Sequence, residues 1–350
     1  MPMEPYMANI KNNNFIWNQL PKLDPTPPDV FFNRRAFIKA LGLGSIALAA
    51  TSPFAFPTRA QAQMGRARYT KADIPTIERP GLNSDFVLSK YPAKRNPDFI
   101  QMPGNVKRLT PKLDALAYNN YYEFTTTKTD VWKLAQDFDP DPWSIEITGE
   151  CHKPRTLSID DIYNFPLEQR NYRFRCVEAW AMDVPWTGVP FHKVLESVEP
   201  TSNAKYVKFT CVERPKQMPG QVSMPWYKWP YFEAWRIDEA MNPLPLLVTG
   251  IYDQPIPRQN GSPFRMIIPW KYGYKGPKCP VKIELLKERP ETFWHAEVPD
   301  EYSWLSNINP AVPHPRWSQA SEVLIDDGKR RQTLLYGGYG DYVAKLYKKS

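Results

Sequence analysis

Thirty-eight prolines are spread over 350 residues, and they restrict the fold more than any other feature. Each fixes its own φ, lacks an amide donor and interrupts a helix or a central strand. A helical bundle is therefore disfavoured, and the pattern predicts an α+β or mostly β fold with many turns and loops. At this length the chain can bury a sizeable core, as one large domain or two smaller ones. Twelve tryptophans and nineteen tyrosines add amphipathic side chains that can line a cleft.

Residues 1–62 read as an export signal and are set aside from the fold. Asn33-Arg34-Arg35-Ala36-Phe37-Ile38-Lys39 has the twin-arginine form, Ala40 to Ala50 is a short apolar stretch, and Ala60-Gln61-Ala62 is a small-residue cleavage site before Gln63. Gly42, Gly44, Ser45 and Pro53 break the apolar stretch, which falls well short of the ~20 residues of a spanning helix. Proteins on this route fold before export, commonly because a cofactor is inserted in the cytoplasm. The signal thus predicts a periplasmic location and hints at a cofactor.

Losing residues 1–62 removes six basic and three acidic side chains and lowers the net charge from +8 to +5. No Lys/Arg block alternates with aromatics as a nucleic-acid groove requires, so no nucleic-acid partner is expected. The mature chain keeps Cys151, Cys176, Cys211 and Cys279. In an exported protein these could form two disulfides, whereas folding in the reducing cytoplasm favours free thiols. No CxxC or Cys/His pair has zinc spacing.

Residues 63 to about 115 are polar and proline-rich and read as an extended arm over the body. Trp143 to Gly149 alternates as a half-buried strand, and Ser158 caps a short helix with acids in its first turn. In Tyr172 to Cys176 the apolar residues fall on one strand face, Arg173 and Arg175 on the other, and Cys176 at the strand end where a loop begins. Pro190 to Val198 reads as a helix, Lys205 to Val212 as a strand and Gln217 to Trp235 as a long loop. Leu246 to Tyr252 suits a buried strand or a helix, and Val281, Ile283 and Leu285 mark another strand. Residues 290–350 read as a tail packed on the main body.

Three stretches carry the candidate chemistry. Arg173 to Trp180, RFRCVEAW, holds Cys176, whose thiolate would be a soft metal ligand or a nucleophile, although a lone cysteine is most often a small buried hydrophobe. Arg258 to Arg265, RQNGSPFR, places a tight Asn260-Gly261 turn before a short apolar run. Lys271 to Lys278, KYGYKGPK, combines three lysines and two glycines, suited to an anion or to a solvated basic loop.

With these segments in hand, the chain resembles the catalytic subunits of bacterial periplasmic protein-methionine-sulfoxide reductases, molybdenum enzymes with a sulfite-oxidase-like fold. YNNYYEF from Tyr118, RCVEAW, TSNAKYV from Thr201, QMPGQ from Gln217, QNGSPFR, PWKYGYKGPK and HPRWSQASE from His314 carry the resemblance. It implies one molybdopterin-binding catalytic domain over residues 116–350, a mixed-sheet α+β fold with short helices, binding one Mo-molybdopterin. Cys176 would be the thiolate ligand to molybdenum. Asn119, Tyr122, Glu123, Asn260 and Arg265 would contact the pterin, with Gly276, Pro277 and Lys278 completing the pocket around its phosphate. Asn120 and Glu178 would stand near the metal, orienting substrate or relaying a proton. Cys211 stands where the relatives have a cofactor-contacting threonine, and a thiol is a poorer hydrogen-bonding group than a hydroxyl.

The implied activity is reduction of methionine sulfoxide, free or in oxidised proteins, with electrons from a membrane haem-containing subunit, in repair of oxidised envelope proteins. A monomeric catalytic subunit is expected. An enzyme on the same cofactor acting on sulfite or small S- and N-oxides shares every motif. A secreted binding module with structural disulfides is the reading without a metal.

Overall fold

The computed structural model describes residues 69–348 apart from 105 and 107; the twin-arginine motif, the apolar stretch and the cleavage site lie outside the described residues. Thirteen strands are found among the described residues. They run β1 (Lys94–Arg95), β2 (Ser144–Gly149), β3 (Arg155–Ser158), β4 (Glu168–Arg175), β5 (Trp180–Pro190), β6 (Tyr206–Cys211) and β7 (Phe232–Arg236). There follow β8 (Leu246–Ile251), β9 (Gln254–Pro255), β10 (Arg265–Ile267), β11 (Pro280–Leu286), β12 (Ser321–Leu324) and β13 (Arg330–Gln332). The longest helices have six residues, Lys112–Ala117 and Phe191–Glu196, as the proline spacing requires.

Two mixed sheets form. The smaller has the order β3-β2-β11-β6-β7, with β11 parallel to β2 and antiparallel to β6. The larger is built around β5, which pairs antiparallel with β4 along one edge. On its other edge β12 takes the first residues, through Trp180 and Ala181, and β8 takes Trp186–Pro190. Strands β1, β9, β10 and β13 extend this sheet. Trp186, Trp235, Trp270, Phe209 and Phe264 are fully buried, and an aromatic side chain of this kind contributes about 3 kcal/mol of burial free energy.

Several local expectations meet the structure directly. Ser158 caps Ile159–Tyr163, sharing a capping box with Asp161, and Leu246–Ile251 is a fully buried strand. Others differ. The N-terminal stretch holds helices at Ile74–Ile77, Asp85–Leu88 and Lys112–Ala117, and buries Ile77, Leu82, Val87 and Phe99. The long loop expected at 217–235 contains the helix Pro219–Ser223 and strand β7, and Trp235 is core. Strand β5 was not anticipated: all eleven residues are buried, so no alternation marks it, and Pro185 and Gly188 read as breakers. The C-terminal tail is woven into the larger sheet through β12 and β13.

The basic loop also differs from expectation. Lys271 and Lys275 are buried, Lys271 paired with Glu239 at 2.6 Å and Lys275 with Glu233. Two of the three lysines therefore hold the loop down and do not face an anion. Arg173 and Arg175 are buried as well, both on Glu322, which also receives Arg331. Burial of these charges is tolerated because each is paired.

Candidate active site

Strands β4 and β5 are joined by a tight hairpin whose tip carries Cys176. The Cys176 amide donates to Trp180 O (2.9 Å) and the Ala179 amide to Cys176 O (3.1 Å). Ala179 closes the turn at φ 69°, a left-handed conformation that costs a residue with a Cβ about 1–3 kcal/mol and persists only where the surroundings enforce it. The sulfur is thereby presented at the floor of a cleft of about 830 Å³, counted out to its open mouth.

Asn119, Asn120, Tyr122, Glu123, Cys176, Glu178, Arg265 and Lys278 all line this cleft. The other four sequence candidates stand behind it. Asn260 donates its Nδ2 to Asn119 Oδ1 (2.9 Å) and to Ala115 O (3.1 Å), fixing the Asn119 amide. Pro277 O accepts the Met266 amide (2.8 Å), and Gly276 is packed so closely on β10 that a Cβ would lie 2.3 Å from Met266 O. These two residues pin the loop that delivers Lys278. Cys211 is buried on the core face of β6 with Val207 and Phe209.

Around Cys176 the polar groups are connected. Asn120 Nδ2 donates to the Cys176 sulfur (3.3 Å) and to Glu178 Oε2 (3.2 Å), and the Glu178 amide also approaches the sulfur (3.4 Å). Glu178 is paired with Lys128 at 2.8 Å. Burial, reinforced by the Glu178 charge, pushes the Cys176 thiol up to about 12. It is therefore not a free thiolate at neutral pH, and binding a metal ion is what would displace its proton to solvent. All four cysteines are free in the structure.

The residues fit an anionic, metal-bearing cofactor. Among the described residues no group of three or more His, Cys, Asp or Glu side chains could hold a metal ion, so a metal at Cys176 must bring most of its own ligands. Arg265 is buried between Phe174 and Trp186, its guanidinium 5.4 and 5.1 Å from the rings, and donates to Asn260 O (3.0 Å). Its Nε has no partner, and Asn120 Oδ1 in the same cleft is likewise unsatisfied. Burial pulls Arg265 down to about 10. Burial also lowers Lys278 against the opposing Glu123 charge and raises Glu123. A buried guanidinium with an unused donor, beside a second buried cation, calls for an anion such as a phosphate.

Residues that the sequence reading did not assign complete the wall, Phe174, Trp180, Met182, Tyr274, Phe293, Trp294 and Tyr302, together with Tyr231 from the proline- and tryptophan-rich stretch 217–235, which the sequence reading took as a loop able to wall a cleft. Tyr122 packs edge-on to Trp294 (5.4 Å), which meets Tyr302 (5.3 Å). Phe293 and Trp294 begin the helix Phe293–Glu297, in the stretch expected to be packed tail; its aromatic density was the available signal. Lys128, in Thr-Thr-Thr-Lys-Thr, gave none.

Beyond the wall, His314 stacks on Trp317 at 3.7 Å and is buried. Burial and the Arg316 charge pull its imidazole from 6.5 down to about 4; Glu301, 3.5 Å from Nε2, is already engaged by Arg316 at 2.6 Å. Between those values the unfolded chain binds a proton that the folded chain refuses, so stability is lost as pH falls from 6.5 toward 4. Thermal melts across this range should show a smaller acid-dependent loss in His314→Gln than in the parent. Equal slopes would mean that His314 carries none of it.

The cleft sets the buried Cys176 sulfur beside the buried cations Arg265 and Lys278 and, among the described residues, offers no metal-binding cluster of its own. Residues 132–294 match the family model of the oxidoreductase molybdopterin binding domain, and the mixed α+β sheets with short helices agree with the sulfite-oxidase-like fold expected for it. The cofactor of such a domain is Mo-molybdopterin. Cys176, Glu178, Arg265 and Lys278 lie inside the matched stretch; Asn119 to Glu123 and Tyr302 lie outside it. Among solved structures the chain is similar to the sulfane dehydrogenase SoxCD from Paracoccus pantotrophus, at 12% identity and a TM-score of 0.42, over 84% of this chain. It spans 62% of that protein's chain.

Proposed function

We propose that this molybdopterin-dependent oxidoreductase is an exported reductase that converts methionine sulfoxide, free or in oxidised proteins, to methionine. The observation that carries this reading is the pairing of an aromatic wall, Tyr122, Tyr231, Phe293, Trp294 and Tyr302, with a carboxylate, Glu178, beside the cysteine sulfur. A neutral sulfoxide with an apolar thioether arm suits both, since aromatic faces hold sulfur and methyl groups. A dianion such as sulfite would approach against Glu178.

The cofactor supplies oxygen-atom abstraction and the two electrons it requires. This chain's residues do the rest. Cys176 would hold the metal through its thiolate, and Asn119, Arg265 and Lys278 would hold the pterin and its phosphate. Asn120 bridges Glu178 and the sulfur through its Nδ2, and its buried Oδ1 is left without a partner. Removing the sulfoxide oxygen as water consumes two protons; Glu178, with Lys128 behind it, is the acid group placed to pass them inward.

The twin-arginine motif places the work in the periplasm, after cytoplasmic folding and cofactor insertion, and electrons would come from a membrane haem subunit. Arg265 and Lys278 lend the sulfite reading its one support, as cations in the same cleft. Reduced-dye assays decide between them: turnover of methionine sulfoxide without sulfite oxidation is expected, and the opposite pattern overturns the proposal. Trp294→Ala should raise the KM for a methionine sulfoxide peptide about tenfold, the worth of one aromatic contact, with a smaller change in kcat. An unchanged KM would remove the aromatic wall from substrate binding.

A further inference from the structure

The hairpin that presents Cys176 is held from outside by a segment about 140 residues away in sequence. Trp317 donates its indole N–H to Val177 O (2.8 Å), and Gln319 donates its Nε2 to the same oxygen (2.8 Å). Gln319 Oε1 accepts from Arg175 Nη2 (2.7 Å), whose other terminal nitrogen donates to Cys176 O. The Val323 amide then takes Ala179 O (2.9 Å), where β12 joins the sheet. Three of the four residues at the tip, Cys176, Val177 and Ala179, thus have carbonyls that receive side-chain or strand donors, and three of these four bonds come from residues 317–323, donated by Trp317, Gln319 and the Val323 amide. Gln319 is itself buried, and Trp317 is fixed by the His314 ring.

The carbonyls of a short hairpin tip normally need no such attention, because water satisfies them. Here the tip contains a residue at positive φ and carries the sulfur. We propose that Trp317 and Gln319 are positioning residues that set where the Cys176 sulfur sits in the cleft, holding the strained hairpin in a single conformation. This rests on Cys176 being the group the cleft is built to present, and it assigns a role to HPRWSQ that the proposed chemistry leaves unused. The two side chains act through the Val177 carbonyl and do not touch the cofactor pocket.

The test uses full-length protein made in a host that lacks molybdopterin, with Trp317→Phe, Gln319→Leu and the double variant. Trp317→Phe keeps an aromatic ring over His314 and removes the N–H. Each cysteine's alkylation by iodoacetamide is followed by peptide mass spectrometry. Loss of both donors should speed labelling of Cys176 about tenfold, and each single variant about threefold, through local opening of the hairpin, while Cys211 and Cys279 stay protected. An unchanged Cys176 rate overturns the proposal. So does a matching rise at Cys211 and Cys279, which would make the two residues general supports of the fold. In metal-loaded protein the double variant should also alter the molybdenum paramagnetic resonance spectrum; an identical spectrum counts against a role in placing the sulfur. The labelling result does not depend on which substrate the enzyme reduces, so failure of the sulfoxide reading would be seen separately.

Discussion

Cys176→Ser is expected to leave a folded protein with little or no molybdenum and oxidoreductase activity reduced on the order of 100-fold or more. The substitution is nearly isosteric, and the sulfur's hydrogen-bond partners, Asn120 Nδ2 and the Glu178 amide, can donate equally to a hydroxyl. What is lost is the soft anion. A thiol pushed up to about 12 by burial still loses its proton to solvent when it ligates a high-valent metal, whereas a serine hydroxyl in the same place is a far weaker acid and a harder ligand. Metal analysis of the purified variant, beside the parent, reads this directly. Full molybdenum occupancy with parental activity in the serine variant would exclude Cys176 as the ligand.

Lys275→Met should have the largest effect on stability, a loss of about 3–5 kcal/mol and a fall in melting temperature on the order of ten degrees. Lys275 is fully buried, paired with Glu233, and donates to Trp304 O at 2.8 Å. Removing the ammonium leaves Glu233 buried without its counter-charge, and burial already pushes that carboxyl above its ordinary range even with Lys275 present. The double variant Glu233→Leu with Lys275→Met should recover most of the loss, because the cost lies in the orphaned charge. The same loop carries Gly273, Tyr274 and Lys278 to the cleft, so cofactor content should fall in the single variant and return in the double. Failure of the double variant to recover would point to packing, and not charge, as the function of this pair.

The candidate site was legible wherever a local pattern was enough. The alternation Tyr172, Phe174, Cys176 placed the cysteine at a strand end, and the structure puts β4 up to Arg175 with Cys176 next in line. Asn119, Asn120, Tyr122, Glu123, Arg265 and Lys278 were gathered by resemblance, and they converge on one cleft from segments far apart in the chain. Lys271 and Lys275 were misread as free cations, since a lysine followed by glycine or tyrosine looks the same whether or not a glutamate from β7 or the following helix Ile237–Ala240 meets it. Strand β5 escaped because burial on both faces erases the period-two signal.

By itself, then, the sequence determined the short-element α+β architecture, through its prolines, and the identity of the sulfur at the end of β4, through alternation and the residues that flank it. Tertiary structure alone decided which charges face the cleft and which are spent on ion pairs, and it alone brought Trp294, Tyr302, Trp317 and Gln319 to the cysteine hairpin. The division has a physical cause. Backbone conformation answers to neighbours a few residues away, but the ionisation, orientation and partners of a buried side chain answer to whatever the fold packs against it.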